Sequence, residues 1–289
     1  MNPLFEVFKE GNKNGPVLVM LHGWPDDHTI WDALVNQLKA NYYCIRVDFP
    51  NSGSQITAPH GLTLQEVIAA LKETLEAQLP AASLPFTLIG HDWGAIYSYL
   101  YAKTFPQQVK SILTVDVGGS IGQQKNPLGY ALAPLYQLGL AASFLSLKIP
   151  LVGQKLGKIG TMATLVWLQT LTKLSQSPKV SGPKLKKAPS PFQNYPYVDL
   201  WKQILSGKKN PQKLPNVPIY YAYGSMGIKK FMQFHDDRWL KNVQKHPLGQ
   251  VDEFAQSGHW LMHDEPERFA QSVQSFLKKV EATPPSLGV

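Results

Sequence analysis

Thr87-Leu88-Ile89-Gly90-His91-Asp92-Trp93-Gly94-Ala95 is a short apolar strand passing through a small-residue turn into a helix. Gly90 and Gly94 flank Asp92 in the spacing of a nucleophile elbow. There the turn is so tight that only glycines fit, and the central side chain is pushed out of the backbone. A serine at that position would point to an esterase or peptidase. An aspartate must instead attack an electrophilic carbon and become an ester, which water later cleaves. Because glycine-flanked aspartates also occur in ordinary turns, the rest of the chain has to supply the partners of such a nucleophile.

Strand and helix patterns alternate around the elbow. Pro16–Leu21, Tyr42–Asp48, Phe86–Ile89, Val109–Asp116, Val217–Gly224 and Val251–Phe254 read as strands; Asp27–Leu38, Leu62–Leu79 and Pro266–Val280 carry helical periodicity. This alternation predicts a doubly wound, mostly parallel sheet. It breaks off from about residue 120 to 211, in a Leu-, Pro- and Gly-rich stretch. No acidic residue lies between Asp116 and Asp199, whereas Lys125, Lys148, Lys155, Lys158, Lys173, Lys179, Lys184, Lys186 and Lys187 give that stretch +9 of a net +8. The rest of the chain is therefore close to neutral. The absence of arginine and of any aromatic interleaving there argues against a nucleic-acid partner.

Between Lys125 and Lys148 lie 22 uncharged residues, long enough to span a bilayer, but Pro127, Pro134, Gly129, Gly139 and Gln137 interrupt them. Helices covering an apolar pocket are the expectation. A variant of it is an apolar face with a lysine rim resting peripherally on an anionic membrane surface. Cys44, the single cysteine, falls in a strand pattern and reads as a core residue. Met1–Lys13 holds no apolar run of signal-peptide length, so a cytoplasmic protein is expected, with membrane association through the basic stretch as a variant.

Three further motifs stand with the elbow: His22-Gly23-Trp24-Pro25-Asp26 after the first predicted strand, Asp48-Phe49-Pro50-Asn51-Ser52-Gly53-Ser54 after the second, and Ser257-Gly258-His259-Trp260 after the last. Together with Gly-His-Asp-Trp-Gly they resemble the aspartate-nucleophile branch of the α/β-hydrolase superfamily, the epoxide hydrolases and haloalkane dehalogenases, over residues 16 to 119 and 214 to 280. The resemblance implies an α/β-hydrolase fold with an inserted helical cap. Residues 1–119 and 212–280 would form the core, 120–211 the cap and 281–289 a tail.

It also implies a nucleophile, Asp92, a base, His259, and an oxyanion hole built from the backbone N–H groups of Trp24 and Trp93. The third member of the triad departs from the commoner pattern. Where many relatives carry an acid, shortly after Gly224, this chain reads Ser225-Met226-Gly227. Several dehalogenases place it instead at the spacing from the nucleophile that Asp116 has here, 24 residues beyond Asp92 and at the end of a strand. Asp116 is thus the preferred acid, with Asp236 or Asp237 as the alternative. His28, His60, His235, His246 and His263 read as surface or helix residues, and His91 as packing.

The resemblance implies hydrolysis without cofactor or metal, on a small lipophilic substrate. An epoxide hydrolase would need cap tyrosines to protonate the opening ring; Tyr195 and Tyr197 are candidates for one, Tyr130 and Tyr136 for the other. A haloalkane dehalogenase would need indole donors for halide, here Trp93 with Trp167 or Trp201. Small haloacids are excluded, because Ala95-Ile96-Tyr97-Ser98 offers none of the arginines that bind their carboxylate. The His-Gly-Trp-Pro wording favours the epoxide. A hypothesis of another class is a non-catalytic lipid-binding or sensor protein that uses the same pocket.

Overall fold

The computed structural model describes residues 5–80, 83–119, 127–175, 180–185, 187–207, 215–230 and 232–283. Seven strands form one sheet: β1 (Glu6–Gly11), β2 (Val17–Leu21), β3 (Tyr43–Asp48), β4 (Phe86–His91), β5 (Val109–Val115), β6 (Ile219–Gly224) and β7 (Gln250–Phe254), in the order β1-β3-β2-β4-β5-β6-β7. All neighbours are parallel except β1, which pairs antiparallel with β3. Sequence patterning passes over β1, whose residues are largely polar and only half-buried at the sheet edge.

The central strands are buried on both faces, and their side chains alternate between two cores. In β2, Val17, Val19 and Leu21 enter one core and Leu18 and Met20 the other; in β6, Ile219 and Tyr221 oppose Tyr220 and Ala222. The first core is closed by α2 (Leu64–Gln78), α3 (Trp93–Thr104) and α7 (Asp237–Lys245). The second is closed by α1 (Asp32–Leu38) and α9 (Pro266–Ala282). Each large aliphatic or aromatic side chain buried in this way stabilises the fold by about 1.5–3 kcal/mol relative to exposure. Cys44 is fully buried in β3.

Local chemistry sets the element ends. Thr63 caps α2 in a reciprocal capping box with Glu66. The predicted Asp27–Leu38 helix begins instead as a 3-10 turn, His28–Trp31, capped by Asp27, before α1 starts at Asp32. A short helix, α8 (Leu261–Asp264), precedes α9.

Between β5 and β6 the chain leaves the sheet and forms α4 (Pro127–Ser146), α5 (Gly153–Leu174) and α6 (Tyr195–Leu205). The N-terminus of α6 is tied to the body of the protein by buried polar contacts. Asn194 Oδ1 accepts from Trp24 Nε1 at 2.9 Å while its Nδ2 donates to Thr161 Oγ1 of α5 at 2.8 Å, and Asp199 accepts from Leu64 N at 3.1 Å. Among the described residues no helix is long and apolar enough to cross a membrane.

The β4–α3 turn has no spare volume. A methyl on Gly94 would lie 2.2 Å from Leu21 O, and one on Gly90 2.3 Å from Gly94 O. Helix propensity alone would make Gly94→Ala stabilising by about 1 kcal/mol. The backbone clash reverses that sign, and denaturant unfolding should show a loss of about 3 kcal/mol or more. An unchanged or raised midpoint would contradict the packing described here.

Candidate active site

Two aspartates stand at the C-terminal ends of adjacent strands, each in left-handed backbone: Asp92 after β4 at φ 54° and Asp116 after β5 at φ 65°. Non-glycine residues are uncommon there, aspartate less so because its side chain can bond locally. Strain of about 1–3 kcal/mol at each is held by the surrounding structure. Asp92 is also the N-cap of α3, so its carboxylate sits at the positive end of a helix dipole.

Asp92 Oδ1 accepts a hydrogen bond from Trp24 N at 2.9 Å, and the Trp93 amide stands close enough to this carboxylate to favour its charge. Burial pushes the Asp92 carboxyl up from its ordinary value; the His259 charge and the two amides oppose that rise. His259 Nε2 lies 3.7 Å from Asp92 Oδ2, too long for a direct hydrogen bond. On the other side of the ring, His259 Nδ1–H donates to Asp116 Oδ2. Asp116 is fully buried and takes two further contacts. Gly224 N donates to Oδ1 at 3.3 Å, and Lys229 Nζ lies 2.8 Å from Oδ2. Burial alone would raise the Asp116 carboxyl, but Lys229 and His259 more than offset it, and the group is held below its ordinary value.

Asp236 and Asp237 are not at this site. Asp236 caps α7, accepting from Trp239 N at 2.7 Å, and Asp237 is exposed in its first turn. Two residues here have no counterpart in the sequence reading. Lys229, from Gly227-Ile228-Lys229-Lys230, looks in sequence like half of a solvated lysine pair, yet it is buried, with Nζ 4.2 Å from the Phe234 ring centre. The only signal for it was the missing acid after Gly224. Asp26, in the His-Gly-Trp-Pro-Asp turn, is buried and accepts from Trp260 Nε1 at 2.9 Å.

The loop bearing His259 is thus gripped along its length. Trp260 is tied to Asp26, the His259 carbonyl accepts from His91 Nε2 at 3.0 Å, and Gly258 N donates to Asp264 at 2.9 Å. His91 does more than pack, since it fixes the backbone of His259. His235, expected at the surface, is buried and bonded to Tyr221 OH at 2.8 Å, because its segment bridges to Val117 beside β5. His28 is half-buried, stacked on Phe8 and bonded to Asp48. His22 is neutral by burial, with Nδ1–H donating to Gly23 O and Nε2 accepting from Phe49 N.

A cavity of about 300 Å³ opens on Asp92 and His259, walled by Trp24, Tyr136, Tyr197 and Phe234, with Leu165 and Leu168 of α5 opposite. Tyr136 and Tyr197 meet edge to face at 5.8 Å, and Tyr197 also packs on Trp24 and Trp93. Burial raises both phenols far above their usual range, so they stay protonated. The Trp24 indole is engaged by Asn194 and the Trp260 indole by Asp26. Tyr195, two residues before Tyr197 on α6, points the other way, since neighbours at that spacing lie on opposite faces of a helix. It packs on Phe144 and lines a separate pocket of about 60 Å³. Tyr130 is on α4, and its side chain lies outside the described residues. Trp167 and Trp201 do not line the cavity.

A profile of the alpha/beta hydrolase family matches residues 18–272. The chain belongs to the α/β-hydrolase family. Its mostly parallel seven-stranded sheet is the core of that fold. This α/β hydrolase is 23% identical to the mouse protein named epoxide hydrolase 4, over 95% of this chain and 76% of that one. Among solved structures it is similar to an epoxide hydrolase from Bacillus megaterium in complex with an inhibitor (TM-score 0.67, 15% identity, covering 96% of this chain and 99% of that one). It is equally similar in fold to an esterase from Thermogutta terrifontis (TM-score 0.65, 14% identity, 96% and 93% covered). At these identities the structural likeness speaks for the fold alone.

Burial raises Asp26 to about 7, against the Trp260 hydrogen bond that lowers it. A carboxyl raised on folding contributes stability that is fully present below its unfolded value and is lost as pH rises through the folded value. Asp26→Asn keeps an acceptor for Trp260 without the charge. Thermal unfolding should find it close to the parent near pH 4 and more stable by about 2–4 kcal/mol at pH 8. Parallel stability profiles at the two pH values would contradict a protonated Asp26.

Proposed function

We propose that this α/β hydrolase is an epoxide hydrolase acting on a lipophilic epoxide, with Asp92 as nucleophile, His259 as base, Asp116 as the orienting acid and residues 120–211 as a cap over the site. The observation that carries this reading is the convergence of two protonated phenols, Tyr136 and Tyr197, on the cavity that holds Asp92 and His259. The relationship to epoxide hydrolase 4 supports it. The dehalogenase alternative needs free indole N–H groups facing the cavity; the indoles of Trp24 and Trp260, which line it, are occupied by Asn194 and Asp26, and Trp93 does not line it.

In the proposed reaction Asp92 Oδ2 attacks a ring carbon, the carbon–oxygen bond opens, and the departing alkoxide takes a proton from Tyr136 or Tyr197. Asp92 Oδ1 becomes the ester carbonyl, already bonded to the Trp24 amide and near that of Trp93. His259 Nε2, with no direct bond to Asp92, deprotonates a water that attacks the ester carbon. The two amides hold the resulting oxyanion; as it collapses, the leaving alkoxide takes the proton of the Asp92 carboxyl and departs as a diol, and the proton held by His259 returns to the phenolate. The imidazolium formed in that step is stabilised by Asp116. Lys229 shares Asp116 and keeps it ionised.

Three measurements test this reading. Intact mass spectrometry of His259→Gln, incubated separately with lipophilic epoxides and haloalkanes, should show an adduct equal to a whole epoxide. An alkyl adduct lacking halogen would favour the dehalogenase, and no adduct from either panel would favour a binding protein or another substrate class. Replacing both Tyr136 and Tyr197 by Phe should lower the rate of ring opening by about 10²–10⁴, with single replacements intermediate; an unchanged rate would remove the phenols from the mechanism. Because Asp92 must be ionised and its carboxyl is raised, the acid limb of the turnover–pH profile should fall above the ordinary aspartate range.

A further inference from the structure

The exposed large apolar side chains of this protein are unevenly placed. Among the described residues, Leu84 is the only one outside the insertion; the others all lie between Leu128 and Leu205. They are also ordered. On α4, Leu128, Leu135, Leu138 and Leu145 share one face, and on α5, Leu156, Ile159, Met162 and Val166 share another. The opposite side of α5 is turned inward at four-residue spacing through Gly153, Gly157, Thr161 and Leu165. The two helices pack closely because small residues meet: a methyl on Gly160 would lie 2.4 Å from Ser143 Oγ and one on Gly139 3.0 Å from Thr164 Oγ1. The result is a stiff two-helix plate with an apolar outer surface.

The turn between the helices sharpens the pattern. Ile149, Pro150, Leu151 and Val152 are consecutive and exposed, and Leu151 is fully so. Leu151 also stands at φ 65°, a conformation that a leucine adopts only under strain. No described residue covers it. Lys148, Lys155 and Lys158 flank the tip and are exposed, and no acidic residue occurs between Asp116 and Asp199 to oppose a negative surface. Contiguous apolar surface of this kind marks an interaction site.

We propose that the α4–α5 hairpin docks on an anionic lipid bilayer, with Leu151 and its neighbours entering the acyl boundary and Lys148, Lys155 and Lys158 at the phosphates. Charge complementarity selects this occupant: an apolar tip ringed by lysines alone matches the apolar interior and anionic headgroups of a bilayer, layer for layer. The mode is peripheral, since no described helix is long and apolar enough to cross. Docking also brings α5 between the lipid and the cavity, which Leu165, Leu168 and Thr172 of the same helix line. The proposal concerns this surface and does not depend on which bond the site cleaves.

Flotation of the full chain with phosphatidylcholine vesicles, with and without about one-third phosphatidylserine, tests it. Binding should require the anionic lipid, weaken with salt, and fall about fivefold for each of Lys148, Lys155 and Lys158 replaced by Gln. Leu151→Asp is the decisive variant, because aspartate tolerates left-handed backbone and the fold is kept. It should lose vesicle binding at least ~tenfold, with circular dichroism and turnover of a water-soluble substrate unchanged. Equal partition onto neutral vesicles, or binding indifferent to Leu151→Asp, would overturn the proposal. So would absence of binding together with a concentration-dependent dimer that Leu151→Asp dissolves, which would assign the surface to a second copy of the chain.

Discussion

At the end of β4 the backbone reverses into α3 within a few residues, and this is possible only because Gly90 and Gly94 bring the strand, the helix and β2 to within contact of bare backbone. Asp92 takes the one left-handed position between them. The same compression points its carboxylate away from the core, sets it on the dipole of α3, and places it against the Trp24 amide from the next strand. Position, charge stabilisation and the amide contact of the proposed nucleophile therefore come from a single packing constraint. Removing the constraint would dissolve all three together.

The neighbouring strand supplies the proposed acid by the same geometry. Asp116 leaves β5 in left-handed backbone, is wholly buried, and is surrounded by His259, Lys229 and the Gly224 amide. A buried carboxylate in so dry a place is costly unless paired. Lys229 is its counter-ion, and it comes from the segment after β6. The His259 loop is held by Asp26 and His91, so its orientation rests on two residues that do not line the cavity.

Much of this was legible in the sequence because it resides in short-range patterns. The strand–helix alternation, the glycine spacing around Asp92, and the distance from Asp92 to Asp116 all depend on neighbours a few residues away or on strand ends. What was not legible depends on packing between distant segments. β1 is polar and held by pairing with β3. Lys229 resembles a surface lysine until its burial is known, and Asn194 is distinguished from its neighbours only by the Trp24 indole it meets. Tyr195 and Tyr197 differ in sequence by almost nothing; the turn at which α6 begins decides which of them faces the cavity. The apolar runs of the insertion were visible, but only the helix faces separate the residues that line the cavity from those that face outward.

The account rests on an ester between Asp92 and substrate, and a single turnover in heavy-oxygen water tests that directly. With enzyme in excess over an epoxide, the oxygen added to the first-turnover diol should be the ordinary isotope, donated by the Asp92 carboxylate, while the peptide containing Asp92 gains the heavy one. Heavy oxygen in the first-turnover product with an unlabelled Asp92 peptide would mean that water attacks the substrate directly and would contradict the account.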